Sequence, residues 1–374
     1  MKKVTVLLAG LMLSLQAWAQ ADVTATGEAI AAALNKRDVE ALFRMMDVEG
    51  IARLVMKDLG LSASDRESVR KGFPKALRNN LDIGVRTIEG TKGTAKFLRS
   101  GVRDAKPFVL VRYDLGDQGI DYVEYYLARS LRVEDWYVHS LATLYSASAR
   151  LSLATLLKTD SMLFGLFGTR LATDADAKPF TELRKHLQAQ DFASAYRVLE
   201  SFPEGFRKTR QWALMRVTYG GRIDDATHRA ALRELARNFG KEADLQFMLI
   251  DHYFFEQQFD RALESLRGLE RAIGGEDAAT ANLRGNILIA AKRFDDAGKA
   301  CRRGMAIEDD HKPAYWCLVT VGLATRNGKI AVEGLKAYEK AFAVEFDLDK
   351  LGAQDAYKEV ARTPEFGAWA KSRR

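Results

Sequence analysis

Gln258-Phe259-Asp260-Arg261-Ala262-Leu263 and, 35 residues on, Arg293-Phe294-Asp295-Asp296-Ala297-Gly298 share one pattern: a polar residue, an aromatic, an acid, and an alanine three places after the aromatic. Gln190-Asp191-Phe192-Ala193-Ser194-Ala195 fits the same template earlier, and Gly328-Lys329-Ile330 with Tyr338 and Ala341 fits it loosely later. Around these anchors, apolar residues recur at helical spacing. Leu245 to Glu256 is followed by Phe259 to Ile273, and Ala279 to Ala291 by Phe294 to Ile307. From Pro179 onward no strand pattern survives, and a period near 34 residues of paired helices marks a stacked repeat array.

The array resembles tetratricopeptide repeats over residues 179–345. Ala195, Ala262 and Ala297 occupy the small position of a second helix, Gly285 the small position of a first helix, and Tyr253 and Phe259 large positions. The stretch from Thr209 to Gly240 departs from the pattern, carrying Ile223 where the aromatic precedes the turn. An array of this kind needs its last apolar face covered. Residues 346–374, with Leu348, Leu351, Tyr357, Val360, Phe366 and Trp369, are suited to that capping role.

The resemblance implies a concave surface lined by the first helices. Aligning each unit on its small alanine places Asp244, Phe247, Asp251 and Phe255 there from one unit, and Asn282, Asn286 and Ile289 from the next. Asn282 and Asn286 lie one helical turn apart, and their amides can both donate to and accept from an extended backbone. The family's carboxylate clamp is not reproduced, because Asp251 stands where a basic residue is needed. An internal or basic peptide segment is the expected ligand.

Working toward the N-terminus, residues 148–178 read as a connector helix and linker. Met162-Leu163-Phe164-Gly165-Leu166-Phe167 is apolar, but Lys158 and Asp160 break the run well before the ~20 residues a membrane span needs. Residues 22–147 change character. Asp22 to Leu59 predicts two helices parted by Asn35-Lys36-Arg37-Asp38. Val69 to Leu81 predicts a third, capped by Ser64 with Glu67 three places on. Strands are then expected at Phe108 to Leu115, Ile120 to Ser130 and Val133 to Tyr145, with one or two more within Thr87 to Val102. Helices followed by an antiparallel meander make an α+β domain ahead of an all-α solenoid.

Ala32-Ala33-Leu34-Asn35-Lys36-Arg37-Asp38-Val39-Glu40-Ala41-Leu42, with long strands ending in Val133-Glu134-Asp135-Trp136-Tyr137-Val138, resembles the cystatin-like cone fold of the nuclear transport factor and SnoaL superfamily. That resemblance implies a cone-shaped pocket, used for isomerase or hydrolase chemistry, for binding, or for homodimerisation through the N-terminal domain. Alternation groups Tyr122, Glu124 and Tyr126 on one strand face, and Asp135, Tyr137 and His139 on the next. Glu124, Asp135 and His139 are the catalytic candidates, since a carboxylate beside a histidine can relay a proton. The plainer expectation is a set of cross-strand pairs on a half-solvated face, with Arg112 and Arg129 as surface charge.

Lys2 and Lys3, the apolar run Val4 to Leu15 and Ala17-Trp18-Ala19 have the layout of a Sec-type bacterial signal peptide over residues 1–19. Cleavage is expected before Gln20 or, alternatively, before Asp22. This points to a periplasmic or secreted protein whose mature chain has no transmembrane span. Of the 57 basic residues in the chain, 55 would then remain against 50 acidic ones, interleaved rather than clustered, which argues against a nucleic-acid partner. Only Cys301 and Cys317 are present, and an oxidising compartment leaves a disulfide and two buried thiols as equal alternatives.

No HExxH, GxSxG or GxxxxGK[ST] occurs, and His139, His186, His228, His252 and His311 are scattered without metal spacing. No cofactor or metal is expected, and nothing makes a positive case for an enzyme. The expected function is a non-catalytic scaffold holding a protein or peptide partner of the cell envelope. The alternative is a small-molecule enzyme or carrier using the cone pocket.

Overall fold

The computed structural model describes residues 22–157 and 174–373. The proposed signal peptide and the apolar part of the connector, Met162 to Phe167, lie outside the described residues. Contacts divide the chain into one unit that ends at Phe239 and a second that begins at Gly240.

The first unit opens with helices α1 (residues 22–35), α2 (Val39–Arg44), α3 (Val48–Met56) and α4 (Ala63–Gly90). Three helices thus precede α4, where the sequence predicted two. The extra break falls at Met45–Asp47, where Asp47 N–H donates to Val133 O at 2.7 Å, Val133 N–H donates to Met45 O at 2.8 Å, and the Asp47 carboxylate caps α3. Ser62, rather than Ser64, caps α4, its hydroxyl accepting from Asp65 N–H at 3.1 Å. The helix runs on to Gly90 because Val85 and Ile88 extend the buried stripe of Phe73 and Leu77. Thr87–Gly90 is therefore helical, and a single strand begins within Thr87 to Val102.

That strand, β1 (Thr94–Arg103), begins an antiparallel meander with β2 (Lys106–Asp114), β3 (Ile120–Leu127), β4 (Val133–Val138) and β5 (Thr143–Leu144), in the order β1-β2-β3-β4-β5. The helices cover one face. Gly27 of α1 packs so closely on the sheet that an added Cβ would overlap the Phe97 ring and lie 3.1 Å from Val109 Cβ, while Asn35 bonds both backbone groups of Ala95 at 2.8 Å.

The predicted strand over Val133–Tyr145 is broken in two by a pair of carboxylates. Asp121 accepts from Ser140 N–H at 3.0 Å and from its hydroxyl at 2.5 Å, and Asp135 does the same to Ser146 at 3.0 and 2.5 Å. The first turns the chain after β4. The second starts α5 (Tyr145–Leu157).

Helices α6 (Asp174–Gln188), α7 (Phe192–Glu200), α8 (Glu204–Arg207), α9 (Arg210–Gly220) and α10 (Asp225–Phe239) complete this unit. The second contains α11 (Gln246–Phe255), α12 (Phe259–Ala272), α13 (Ala278–Ala290), α14 (Phe294–Ile307), α15 (Lys312–Ala324) and α16 (Gly328–Phe342), then the short α17 (Leu348–Ala353), α18 (Lys358–Ala361) and α19 (Pro364–Lys371).

One turn recurs. Gln190, Gln257, Lys292 and Arg326 each take a left-handed conformation, with φ of 56°, 55°, 58° and 53°. The next N–H closes back five residues: Asp191 to His186, Gln258 to Tyr253, Arg293 to Leu288 and Asn327 to Gly322, at 2.8–2.9 Å. This is a Schellman closure of the first helix of each pair. The α9–α10 turn, where Ile223 departs from the pattern, lacks it; Asp224 N–H donates to Gly220 O at 3.3 Å.

Ala195, Ala262, Ala297 and Ala331 are all fully buried. The reason is visible at Gly322, where an added Cβ would lie 2.6 Å from Ala331 Cα. Leu351, Tyr357, Val360, Phe366 and Trp369 close the last apolar face with Val319, Val332 and Leu335.

Candidate functional site

On the sheet, Glu124 and His139 meet, while Asp135 stands apart from them. His139 Nε2 lies 3.2 Å from Glu124 Oε1, Arg103 Nη1 donates to the same oxygen at 2.6 Å, and the Tyr126 hydroxyl donates to Oε2 at 3.1 Å. Asp135 is engaged by Ser146 and by Trp136 N–H. Burial raises the Asp135 carboxyl above its ordinary value, and the Ser146 and Trp136 donors pull it partly back.

The expectation of a half-solvated face is overturned. Tyr122 and Glu124 are 0% exposed and His139 3%. Arg112, expected as surface charge, is also 0% exposed, its guanidinium forking onto the Asp114 carboxylate at 3.0–3.1 Å. A buried guanidinium needs such partners to offset lost hydration. Arg129 is exposed as expected. The opposite face carries a pair in direct hydroxyl contact, the half-buried Tyr113 with the buried Tyr125. Burial pushes Tyr125 up to about 12.

In the repeat region, the first helices of three successive pairs turn equivalent residues outward. The turn residues Gln257, Lys292 and Arg326 set the register, with offsets of 35 and 34. On α11 and the short turn before it, Asp244, Asp251 and Phe255 are exposed and Phe247 half-buried. On α13, Asn286 and Ala290 are exposed and Asn282 half-buried. On α15 the equivalent residues Trp316, Thr320 and Ala324 are exposed, as is Pro313, whose α13 counterpart Ala279 is buried.

The residues between them are buried. Met248, Leu249 and Ile250 face inward on α11, Ala281, Gly285 and Leu288 on α13, and Tyr315, Cys317 and Leu318 on α15. Ile289 is half-buried. The α15 members were not singled out from the sequence, although the 34-residue offset from Asn282 and Asn286 leads directly to Trp316 and Thr320.

The Asn282 side-chain oxygen Oδ1 is buried without a hydrogen-bond donor. Beyond Phe255 and Ala290 the stripe runs into a cleft of ≈ 570 Å³ lined by Phe254, Phe255, Gln257, Phe259, Ala290, Ala291 and Lys292.

Behind the stripe, Cys301 of α14 and Cys317 of α15 form a disulfide with a Cα separation of 5.5 Å. Among the described residues no cluster of His, Cys, Asp or Glu is arranged to hold a metal ion, and no helix is long and apolar enough to cross a membrane.

No family model and no curated protein matches the chain. Among solved structures, one titled "MamA MSR-1 C2" is similar at 14% identity and a TM-score of 0.36, covering 48% of this chain and 100% of that one. A second structure of MamA gives 17% identity and 0.36, covering 46% and 91%. PilW, titled a widely conserved type IV pilus biogenesis factor, gives 15% and 0.34, covering 54% and 93%. TM-scores of this size carry no argument about role, and the repeat assignment rests on the chain's own recurring turn.

Proposed function

We propose that the chain is an exported, non-catalytic binding or scaffold protein that holds an extended protein segment along the outward stripe of α11, α13 and α15. The observation that carries this reading is the repetition itself. Three neighbouring helices leave the same register unburied, and at its centre stands Asn282, whose Oδ1 has no hydrogen-bond donor. Leaving a buried polar group unpaired costs about 1–3 kcal/mol, a cost that folding alone gives no reason to keep. Asp244 and Asp251 favour a segment that is basic at the α11 end.

In this reading residues 1–19 are an export signal, residues 22–147 a cystatin-like cone domain, 148–178 a connector, 179–345 the repeat array and 346–374 its cap. The cone domain serves docking or dimerisation. The second reading, a small-molecule enzyme or carrier, draws on the Glu124–His139 contact. Against it stand the three donors around Glu124, which hold the carboxylate as a structural acceptor rather than leave it free as a base.

The test uses a partner captured from cell-envelope extract by the full mature chain and then purified. Its affinity is measured for wild type, Asn286→Ala and Asp251→Ala, with unchanged thermal stability as the control. A loss of severalfold or more in either variant supports the stripe, and unaltered affinity in both refutes it.

A further inference from the structure

The stripe is not chemically uniform. Its α11 section carries Asp244 and Asp251, whereas the α13 and α15 sections, Asn282, Asn286, Ala290, Pro313, Trp316, Thr320 and Ala324, carry no charge. Trp316 is the largest of these and is 37% exposed. The protein does not leave it to swing freely. Its ring packs against Tyr338 at 5.2 Å and Phe346 at 5.9 Å, and Phe346 is itself held because its N–H donates to the Glu339 carboxylate at 2.9 Å.

Lys312, one turn earlier on α15, lies over the Phe342 ring, which packs on Tyr338 at 4.6 Å. An aromatic side chain fixed on one flank and open on the other loses little rotamer freedom when a ligand covers it, which is the condition for a binding anchor.

Height along the helices places Trp316 beside the asparagines. An added Cβ at Gly285 of α13 would overlap Cys317 Sγ of α15, so these two residues are level. Asn282 lies one turn below Gly285, and Trp316 adjoins Cys317. Helices in contact run about 8–10 Å apart, within the span of two or three residues of extended chain.

From this juxtaposition we infer that the α13–α15 section binds an extended, uncharged peptide segment that lays an apolar side chain on the Trp316 indole and hydrogen-bonds its backbone to the Asn282 and Asn286 amides. This rests on the peptide-binding reading above and adds to it which chemistry is selected, and where. An anionic segment finds no cation among these seven residues. A basic one finds its carboxylates only in the neighbouring section.

The probe is a phage-displayed library of random decapeptides selected on the full mature chain, followed by synthesis of the best-enriched peptide. The expected result is an enriched apolar position. Trp316→Ala then weakens Kd roughly tenfold or more, Trp316→Phe retains most of the affinity, and Asn282→Ala weakens it less. N-methylation of the backbone next to the apolar residue is expected to weaken binding to wild type but to add little in Asn282→Ala, as a coupled pair requires.

Should Trp316→Ala lose its fold, Trp316→Leu and the methylated peptide carry the same comparison. A peptide that binds, is weakened by Asp251→Ala, and ignores substitution of Trp316, Asn282 and Asn286 as well as methylation overturns this inference while leaving the groove intact. Failure of the wild type to enrich any peptide overturns both.

Discussion

Gly285 and Cys317 are packed so that the glycine's missing Cβ is the space the sulfur occupies, and the same absent methyl would stand 2.9 Å from Cys301 Sγ. One glycine on α13 thus seats the bond that joins α14 to α15. We expect Gly285→Ala to destabilise the protein by about 1–2 kcal/mol. An overpacking cost of about 1–3 kcal/mol is partly offset by the better helix propensity of alanine, worth up to about 1 kcal/mol. Chemical denaturation measures it. In the Cys301→Ala/Cys317→Ala background the same substitution should cost less, since the obstructing sulfurs are gone. Thiol titration of the denatured, unreduced wild type should find no free thiol.

Gly322 and Gly367 make an internal contrast. A Cβ at Gly322 would press on the Ala331 backbone, which has no rotamer to retreat into, while at Gly367 nothing stands within 4 Å. Gly322→Ala is expected to lose about 3 kcal/mol or more by forcing α15 and α16 apart. Gly367→Ala should gain up to about 1 kcal/mol. Melting curves of the two variants, moving in opposite directions, would verify this.

Asp135 sets a pH dependence of unusual sign. Burial raises its carboxyl above the ordinary value, so the folded state holds the proton more tightly than the unfolded chain. A group of that kind adds stability as pH falls from its raised folded value toward the unfolded value of ~3.9, and withdraws it as pH rises. Ser146→Ala removes a hydroxyl that donates to the ionised carboxylate at 2.5 Å. It should therefore cost about 1–3 kcal/mol at pH 7 and distinctly less near pH 4. Urea unfolding at the two pH values separates these outcomes, and an equal loss at both would contradict the assignment.

The Glu124 cluster is expected to behave as structure. Arg103→Met takes the cation from a carboxylate that is 0% exposed, leaving it beside the Tyr126 hydroxyl and His139, and should destabilise by about 3–5 kcal/mol. Glu124→Gln removes the charge but keeps the shape, and should cost less. In Glu124→Gln, affinity for the stripe peptide should be unchanged wherever the fold is retained. A variant that keeps its melting temperature but loses affinity would reassign the cluster to function.

Several elements were legible without coordinates because short-range rules govern them. The 35-residue recurrence at Phe259 and Phe294 fixed the helix pairs nearly to the residue, since a Schellman turn and a small alanine are local demands of close helix packing. The exposed residues at Asp251 and Asn286 followed from that register, because a helix buried on one side must show its other side. What misled were decisions made across the chain. Thr87–Gly90 has strand-like composition but prolongs α4, because Ile88 finds apolar contacts there. Arg112 pairs with Asp114 only two places along the same strand, but its complete burial depends on what packs over that face from elsewhere in the chain.

The sequence by itself therefore determined the order of architectures, helices then meander then repeat, and the register of the repeat. Both are written in periodicities of a few to a few dozen residues. Only the tertiary structure decided that Glu124 and His139 meet while Asp135 turns to Ser146, that Cys301 and Cys317 are joined over Gly285, and that Trp316 stands braced beside Asn282. Those outcomes depend on which side chains fill the same few ångströms from distant points of the chain, and spacing along a sequence does not encode that.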